Sequence, residues 1–368
     1  MNVMHLLATA GTGGIESLCK DYAIYSENNN IFVVLWGKND VTACAIRQNG
    51  HTVLELNSKK TEIFKVICNL NRIVKKYSID TVVVHHAAPI LHIYMYLLKM
   101  RFRRIRTVAY AHGEAKDMCR HNELKGLELR RNILRYSLKQ SDKVIAISQA
   151  VKKSLEEYLS VPSDKITVIY NGTDTSRFKP DIHTTIKIPV KLVYVGRLIK
   201  EKGVQTTIKV LSDLPENLDW TFDIIGDGNY RKKLEQLSER MGLKEQVHFY
   251  GTCSDIPEIL NNHDIFIHMP LWEEGFGITT IEAMAAGLLC ICMDKGGIPE
   301  IISNGKDGIL VHSEVELSEV LVAVLAGIDR YQIAKLRENA VNKAKDFDIK
   351  RFSKQLDSVI YCLKSGEK

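Results

Sequence analysis

Two carboxylates, Glu274 and Glu282, stand in the run Leu271-Trp272-Glu273-Glu274-Gly275-Phe276-Gly277-Ile278-Thr279-Thr280-Ile281-Glu282-Ala283-Met284-Ala285-Ala286-Gly287. They flank a glycine-rich turn that opens a helix. Gly275 and Gly277 let backbone N–H groups approach a ligand closely. A helix that starts there turns its positive dipole end toward the same spot. The stretch Gly275, Phe276, Gly277 and Ile278 can therefore hold a diphosphate, while the carboxylates accept hydrogen bonds from hydroxyls. A diphosphate with hydroxyl-rich groups on both sides is a nucleotide sugar.

Other segments offer complementary chemistry. Val195-Gly196-Arg197-Leu198-Ile199-Lys200-Glu201-Lys202-Gly203 follows a strand-like run. Arg197 can fork onto phosphate oxygens and Lys202 can add a point charge. The same residues also fit a solvated charged turn. Gly226-Asp227-Gly228 ends another strand and suits either a base and ribose or an ordinary left-handed turn. Gly251–Asp255 occupies the corresponding place after the next strand. Gly11-Thr12-Gly13-Gly14 follows the first strand. It lacks the third glycine of a dinucleotide fingerprint, because Glu16 stands there. Gly13 and Gly14 can still approach a phosphate or sugar, or simply turn the chain. His112 ends an apolar strand and can hydrogen-bond a sugar hydroxyl, although a lone histidine is commonly structural. His85 and His86 end a strand too and rank below it. Asp346-Phe347-Asp348 has the spacing of a metal-binding D-x-D but precedes a helix, where Phe347 reads as an anchor and Asp348 as a cap. No metal site is expected.

The 368 residues call for two domains. Eight cysteines without CxxC or metal-like spacing suit a reducing compartment. No run approaches the ~20 apolar residues of a membrane helix. Met1–Leu7 reads as a strand rather than a signal peptide. The net charge of +6 conceals an asymmetry. Residues 1–180 carry 27 Lys+Arg against 16 Asp+Glu, and residues 181–368 carry 23 against 28. The excess concentrates between Lys99 and Lys139, so one half is built to face something anionic. Within it, Glu123–Gln140 reads as a basic amphipathic helix, with Leu124, Leu127, Leu134 and Leu138 along one stripe. It suits either core packing with a solvated basic face or adhesion to an anionic lipid surface.

Short apolar runs alternate with helical patterns throughout. Strands are expected at Ile31–Trp36, Thr81–His85, Arg106–Ala111 and Lys143–Ile147, with helices such as Ile63–Tyr77 and Leu91–Met100 between them. A second series comprises Lys191–Gly196, Trp220–Gly226, Val247–Tyr250, Asp264–Met269, Leu288–Met293 and Ile309–Val311. Alternation of this kind predicts an α/β fold of parallel sheets covered by helices, with ligands at the carboxyl ends of the strands. The stretch between Asn171 and Pro189 lacks periodicity and reads as the hinge. Two doubly wound domains imply a cleft between them. The expected division is 1–178, 179–346 and a last helix within 347–368 that packs back on the first domain.

Together these residues resemble the retaining glycosyltransferases of family 4, which have the GT-B architecture of two Rossmann-like domains. Glu274 and Glu282 resemble the family's E-x7-E pair, and Gly196-Arg197 with Lys202-Gly203 its G-R…K-G element. Ile225-Gly226-Asp227-Gly228 is similar to its nucleotide-contact turn. Asn171-Gly172-Thr173-Asp174 is similar to its N-G-x-D, and Gly296-Gly297-Ile298-Pro299-Glu300 to its G-G-x-P-E. Gly13-Gly14 and His112-Gly113 sit where the family has such residues. Trp272-Glu273 departs from the small or polar residues common before the first glutamate, which bears on the donor rather than the reaction.

The resemblance implies that Glu274 binds hydroxyls of the donor sugar, helped by the backbone N–H groups of Phe276 and Gly277. It implies that Glu282 binds the ribose, that Arg197 and Lys202 hold the diphosphate, and that His112 contacts the sugar near the reaction centre. No cofactor and no metal is implied. The expected reaction is retaining transfer from a nucleotide-diphosphate sugar, most naturally UDP-linked, to a hydroxyl of a glycan or lipid-linked acceptor, as in bacterial lipopolysaccharide or capsule synthesis. The expected location is cytoplasmic, with peripheral membrane association through Lys99–Lys139 and no nucleic acid as partner. A nucleotide-sugar epimerase on the same architecture and a non-catalytic nucleotide-sugar sensor are the alternatives.

Overall fold

The structure is a computed structural model that describes residues 1–11, 13–37, 41–85, 88–116, 127–182, 188–327 and 332–365. The chain divides into two compact units, Met1–Gly172 with Ile349–Lys368, and Thr173–Asp348.

The first unit is built on seven parallel strands. They are β1 (Asn2–Leu7), β2 (Asn29–Val34), β3 (Thr52–Glu55), β4 (Thr81–Val84), β5 (Arg106–Ala111), β6 (Lys143–Ala146) and β7 (Ile166–Val168). Their order across the sheet is β3-β2-β1-β4-β5-β6-β7. Central strands covered by helices on both faces read as near-continuous apolar runs. Ile31–Val34 and Val82–Val84 are accordingly fully buried. Helices supply the covering layers. In Ile63–Lys76 the buried residues Val66, Leu70, Ile73 and Val74 recur at helical spacing.

The strands β3 and β7 were not anticipated from sequence. β3 has one buried residue in four, and β7 has only three residues. Edge strands like these carry too little apolar signal to stand out from loops.

The last helix, Ile349–Ser365, belongs to this unit. Gly172 lets it approach, since a Cβ there would lie 2.9 Å from both Ile349 Cα and Phe352 Cβ. Phe352 meets the ring of Tyr22 edge-on at 6.1 Å. Asp357 then accepts hydrogen bonds from Tyr22 Oη, Ser26 Oγ, Asn28 Nδ2 and the backbone N–H of Glu27. Asp357→Ala strips one shared acceptor from four donors. It is expected to destabilise this unit by about 2–3 kcal/mol. Urea unfolding followed by tyrosine fluorescence checks this, and an unchanged midpoint would refute it.

The second unit has six parallel strands, β8 (Val190–Val195), β9 (Trp220–Ile225), β10 (Val247–Gly251), β11 (Ile265–His268), β12 (Leu289–Met293) and β13 (Ile309–Val311). All six match sequence expectation within about a residue at each end. The order is β10-β9-β8-β11-β12-β13. The winding direction therefore reverses between β8 and β11, and doubly wound sheets open a crevice at the carboxyl end of such a reversal. The expected α/β class, with two Rossmann-like units, is what the structure contains.

Candidate active site

The reversal of the second sheet brings the main acidic and basic candidates together. Lys202 lies on the loop after β8 and Glu274 on the loop after β11. Lys202 Nζ stands 2.6 Å from Glu274 Oε2, with about 15% and 12% of the two side chains exposed. The same oxygen accepts from His268 Nε2 at 3.3 Å and Trp272 Nε1 at 3.4 Å. The Lys202 ammonium also lies 5.6 Å from the Trp272 ring centroid.

Burial pushes the Glu274 carboxyl upward, but Lys202 and His268 outweigh it and hold the group well below the usual carboxylate range. Burial also lowers His268, against the opposing pull of Glu274. A neutral His268 that donates from Nε2 follows. Its Nδ1 is then a buried lone pair without a partner among the described residues. Sequence reasoning passed over His268. Its position as the last residue of β11 was the available signal, since that is where a polar side chain reaches the crevice.

Glycines fix the backbone of this cluster. Gly203 is in the left-handed region at φ +72°, and a Cβ there would lie 1.7 Å from the Met269 carbonyl oxygen. Leu271 N–H donates to Glu201 O at 2.8 Å, tying the two loops together. On the other side, Gly297 N–H donates to Glu274 O at 2.7 Å and Gly296 N–H to Glu273 Oε2 at 2.8 Å. The G-G-x-P-E segment is thus a clamp on the backbone of Glu274.

Arg197 is exposed, and its carbonyl accepts from Tyr194 Oη at 3.2 Å. The Tyr194 ring stacks on His268 at 6.0 Å. Burial raises the Tyr194 phenol, Glu274 raises it further and Arg197 opposes them, so both charges act on one ring. Arg197 therefore belongs to the same end of the sheet as Lys202 and Glu274.

Gly277 is the left-handed cap of the helix Ile278–Ala285. Phe276 is buried and meets Phe347 edge-on at 5.7 Å, while Gly275 and Ile278 are half-buried. Glu282 is half-buried one turn along that helix, where its Oε1 accepts from Thr173 Oγ1 at 3.4 Å. For Gly226 and Gly228 the structure supplies a reason beyond ligand access. A Cβ at Gly226 would lie 1.9 Å from Gly196 O, and one at Gly228 2.3 Å from Leu198 O. They let the loop after β9 run against the loop after β8. Asp227 is exposed, caps the Gly228 N–H at 2.7 Å and lies 3.8 Å from Arg231.

In the first unit, Gly13 caps the helix Gly14–Tyr25, and a Cβ there would meet Glu16 Oε2 at 2.4 Å. The carboxylate of Glu16 thus lies against that turn, while the space beside Gly14 is open. Thr12 lies outside the described residues. His112 is half-buried, stacked on Tyr110 at 4.3 Å and joined to His85 Nδ1 through its Nε2 at 3.3 Å. His86 lies outside the described residues.

Of the basic stretch Lys99–Lys139, residues 117–126 lie outside the described residues. The described part of the expected helix Glu123–Gln140 is the helix Leu127–Gln140, on which Leu134 and Leu138 are fully buried. Lys99 pairs with Asp142 at 3.0 Å and Arg131 with Glu128 at 3.1 Å. Among the described residues, no helix is long and apolar enough to cross a membrane, and no His/Cys/Asp/Glu group has the arrangement of a metal site. Asp348 accepts from Thr175 Oγ1 at 2.7 Å.

Two doubly wound units, one with a buried lysine–glutamate pair at the reversal of its sheet, define the GT-B class of fold. Residues 12–177 match Glycosyltransferase Family 4, and residues 176–347 match Glycosyl transferases group 1. The chain belongs to glycosyltransferase family 4.

It is 29% identical over 249 residues to N-acetyl-alpha-D-glucosaminyl L-malate synthase of Bacillus anthracis, covering 65% of this chain and 62% of that protein. The chain thus spans less than two thirds of that relative's length. It is 26% identical over 242 residues to the lipopolysaccharide core biosynthesis mannosyltransferase LpsB of Rhizobium meliloti strain 1021, covering 61% and 67%. Among solved structures, Anabaena HepE in complex with UDP-glucose superposes with a TM-score of 0.84 at 20% identity, covering 98% of this chain and 99% of that one. At that identity the likeness speaks for the fold alone.

Proposed function

We propose that the protein transfers a sugar from a nucleotide-diphosphate donor to a hydroxyl of a glycan or lipid-linked acceptor, with retention at the anomeric carbon and without a metal. The observation that carries this reading is the buried Lys202–Glu274 pair at the sheet reversal, with Arg197 beside it. An incoming diphosphate competes with Glu274 for the Lys202 ammonium. Once Lys202 turns to the phosphates, Glu274 is an anionic acceptor for sugar hydroxyls, still held by His268 and Trp272. Arg197 and Lys202 then stabilise the charge that builds on the leaving diphosphate, work a metal ion does elsewhere. The acceptor hydroxyl attacks from the face the leaving group departs, and the leaving phosphate takes up its proton. Glu282 binds the ribose, the Gly226–Gly228 turn lies by the base, and His112 contacts the sugar.

HepE is a family-fold neighbour bound to UDP-glucose, which favours a UDP-linked donor. LpsB acts in lipopolysaccharide core biosynthesis, which favours an acceptor in a cell-surface polysaccharide pathway. Peripheral attachment at the inner membrane face, through the basic stretch Lys99–Lys139, suits a lipid-linked acceptor.

Incubating the purified protein with a panel of UDP-, GDP- and ADP-sugars, in EDTA, is expected to release nucleoside diphosphate slowly from one of them. Release that needs an added divalent cation would refute metal independence. Epimerised donor without loss of nucleotide would favour the epimerase alternative. No turnover with any donor, despite tight nucleotide-sugar binding, would favour a sensor.

A further inference from the structure

We propose that Asn30, His5 and His85 form a buried relay that fixes the ring orientation and the proton position of His112. The four residues lie on neighbouring strands or directly after them: Asn30 in β2, His5 in β1, His85 after β4 and His112 after β5. His5 Nε2 meets Asn30 Oδ1 at 3.0 Å, His5 Nδ1 meets His85 Nε2 at 2.9 Å, and His85 Nδ1 meets His112 Nε2 at 3.3 Å. Asn30, His5 and His85 are at most 1% exposed. The relay climbs from the interior of a largely apolar sheet to the end of β5.

Such a chain needs a reason to exist, because buried polar groups are costly, and Asn30 Nδ2 has no partner among the described residues. Valine would fill these positions without that cost. A neutral imidazole has one N–H and one lone pair, so each ring in a chain must donate one way and accept from the other. The direction at one end therefore propagates to the other. The amide oxygen of Asn30 accepts from His5 Nε2–H. His5 Nδ1 is then a lone pair that accepts from His85 Nε2–H, and His85 Nδ1 accepts from His112 Nε2–H. His112 carries its proton on Nε2, and Nδ1 bears the lone pair.

Burial lowers His5 to about 4 and His85 well below the ordinary imidazole range, so neither takes an extra proton near neutrality and the direction stays single. Stacking holds the planes. Tyr110 packs against both of the last two rings, 5.3 Å from His85 and 4.3 Å from His112. Phe32 stacks on His5 at 4.8 Å.

The functional consequence rests on the proposed contact of His112 with the donor sugar. Under it, the relay presents a sugar hydroxyl with an acceptor nitrogen rather than an N–H. Asn30, His5 and His85 then act as positioning residues. Partners that orient metal-bound histidines are commonly worth about 10- to 100-fold, and an effect of that order is expected here.

The test reads the tautomer directly. Long-range proton–nitrogen spectra of the 15N-histidine-labelled full chain, with His112→Gln for assignment, are expected to show His112 protonated at Nε2 and bare at Nδ1. His85→Phe keeps a flat ring against Tyr110 but removes both nitrogens. It is expected to mix the His112 tautomers and to lower turnover of the donor found in the panel about tenfold or more, with KM nearly unchanged. His85→Gln, whose side-chain oxygen can accept the Nε2 proton, is expected to recover part of that loss. A wild-type spectrum with His112 protonated at Nδ1 overturns the relay, since it means the Asn30 amide and every donor run the other way. So does a His85→Phe spectrum identical to wild type. Wild-type turnover in His112→Gln would remove the sugar contact instead, and leave the relay to be judged on the spectra.

Discussion

Glu274→Gln is expected to lower turnover by about 100- to 1,000-fold while leaving a folded protein. The substitution keeps the shape of the side chain and removes its charge. Glu274 Oε2 now faces three donors, from Lys202, His268 and Trp272. A glutamine can turn its oxygen toward them but cannot neutralise the buried ammonium. Breaking a buried pair by removing one charge costs about 3–5 kcal/mol. Lys202 is still partly exposed, so the lower end of that range is expected. A Lys202→Met, Glu274→Gln double variant removes both charges and should regain most of the stability without regaining turnover. That split separates a role in the reaction from a role in the fold. Full stability together with full activity in Glu274→Gln would sink the assignment.

The same pair sets a pH dependence. Burial favours the neutral Glu274, but Lys202 and His268 hold its folded pKa below the unfolded value. The stabilisation is therefore fully present above about pH 4.3, the ordinary glutamate value, and is lost as pH falls through the depressed value. A kcat/KM profile between pH 5 and 8 should show no step belonging to Glu274. A titration in that window that vanishes in Glu274→Gln would contradict the geometry.

Gly296→Ala is the second large effect. Gly296 is left-handed at φ +60°, and a Cβ there would lie 2.1 Å from Glu274 O and 2.6 Å from Glu274 N. Those atoms are backbone and cannot swing aside as a flexible side chain would. The clamp must open, which carries Glu274 with it and breaks the 2.7 Å bond from Gly297 N–H. Misplacement of about 1 Å at a reacting centre can cost 100-fold, and the strain adds about 1–3 kcal/mol. Gly242→Ala is the control. It is left-handed at φ +75° with nothing within 4 Å of the added carbon. It should show the strain in thermal unfolding and keep wild-type turnover. Equal turnover in the two variants would mean that the clamp does not position Glu274.

The second unit was legible because its signals are local. Its strands are short apolar runs bounded by glycines, and each motif sits where a strand ends. Gly196, Gly226 and the Glu274 turn could be placed at strand ends from the alternation alone. The first unit was read less completely. β3 and β7 are short edge strands, and β3 is half exposed, so their apolar content is too low to register. His268 was missed for a different reason. A single polar residue at the end of an apolar strand carries no pattern of its own, and only its 3.3 Å approach to Glu274 gives it meaning.

The glycines of the second unit show the same divide. Sequence left Gly226 and Gly228 open between a base-and-ribose contact and an ordinary left-handed turn. The structure shows that they make room for the neighbouring loop, because their missing Cβ atoms point at backbone oxygens of Gly196 and Leu198. By itself the sequence determined the class of fold, the family, and the set of acidic, basic and glycine-rich segments, since periodicity and motif spacing are properties of consecutive residues. Only the tertiary structure decided that Lys202 and Glu274 share one buried contact, that Gly296 and Gly297 hold it, and that three histidines far apart in the chain touch in a row. Those facts depend on which strands lie side by side, and strand order arises from packing of the whole sheet rather than from any one stretch of it.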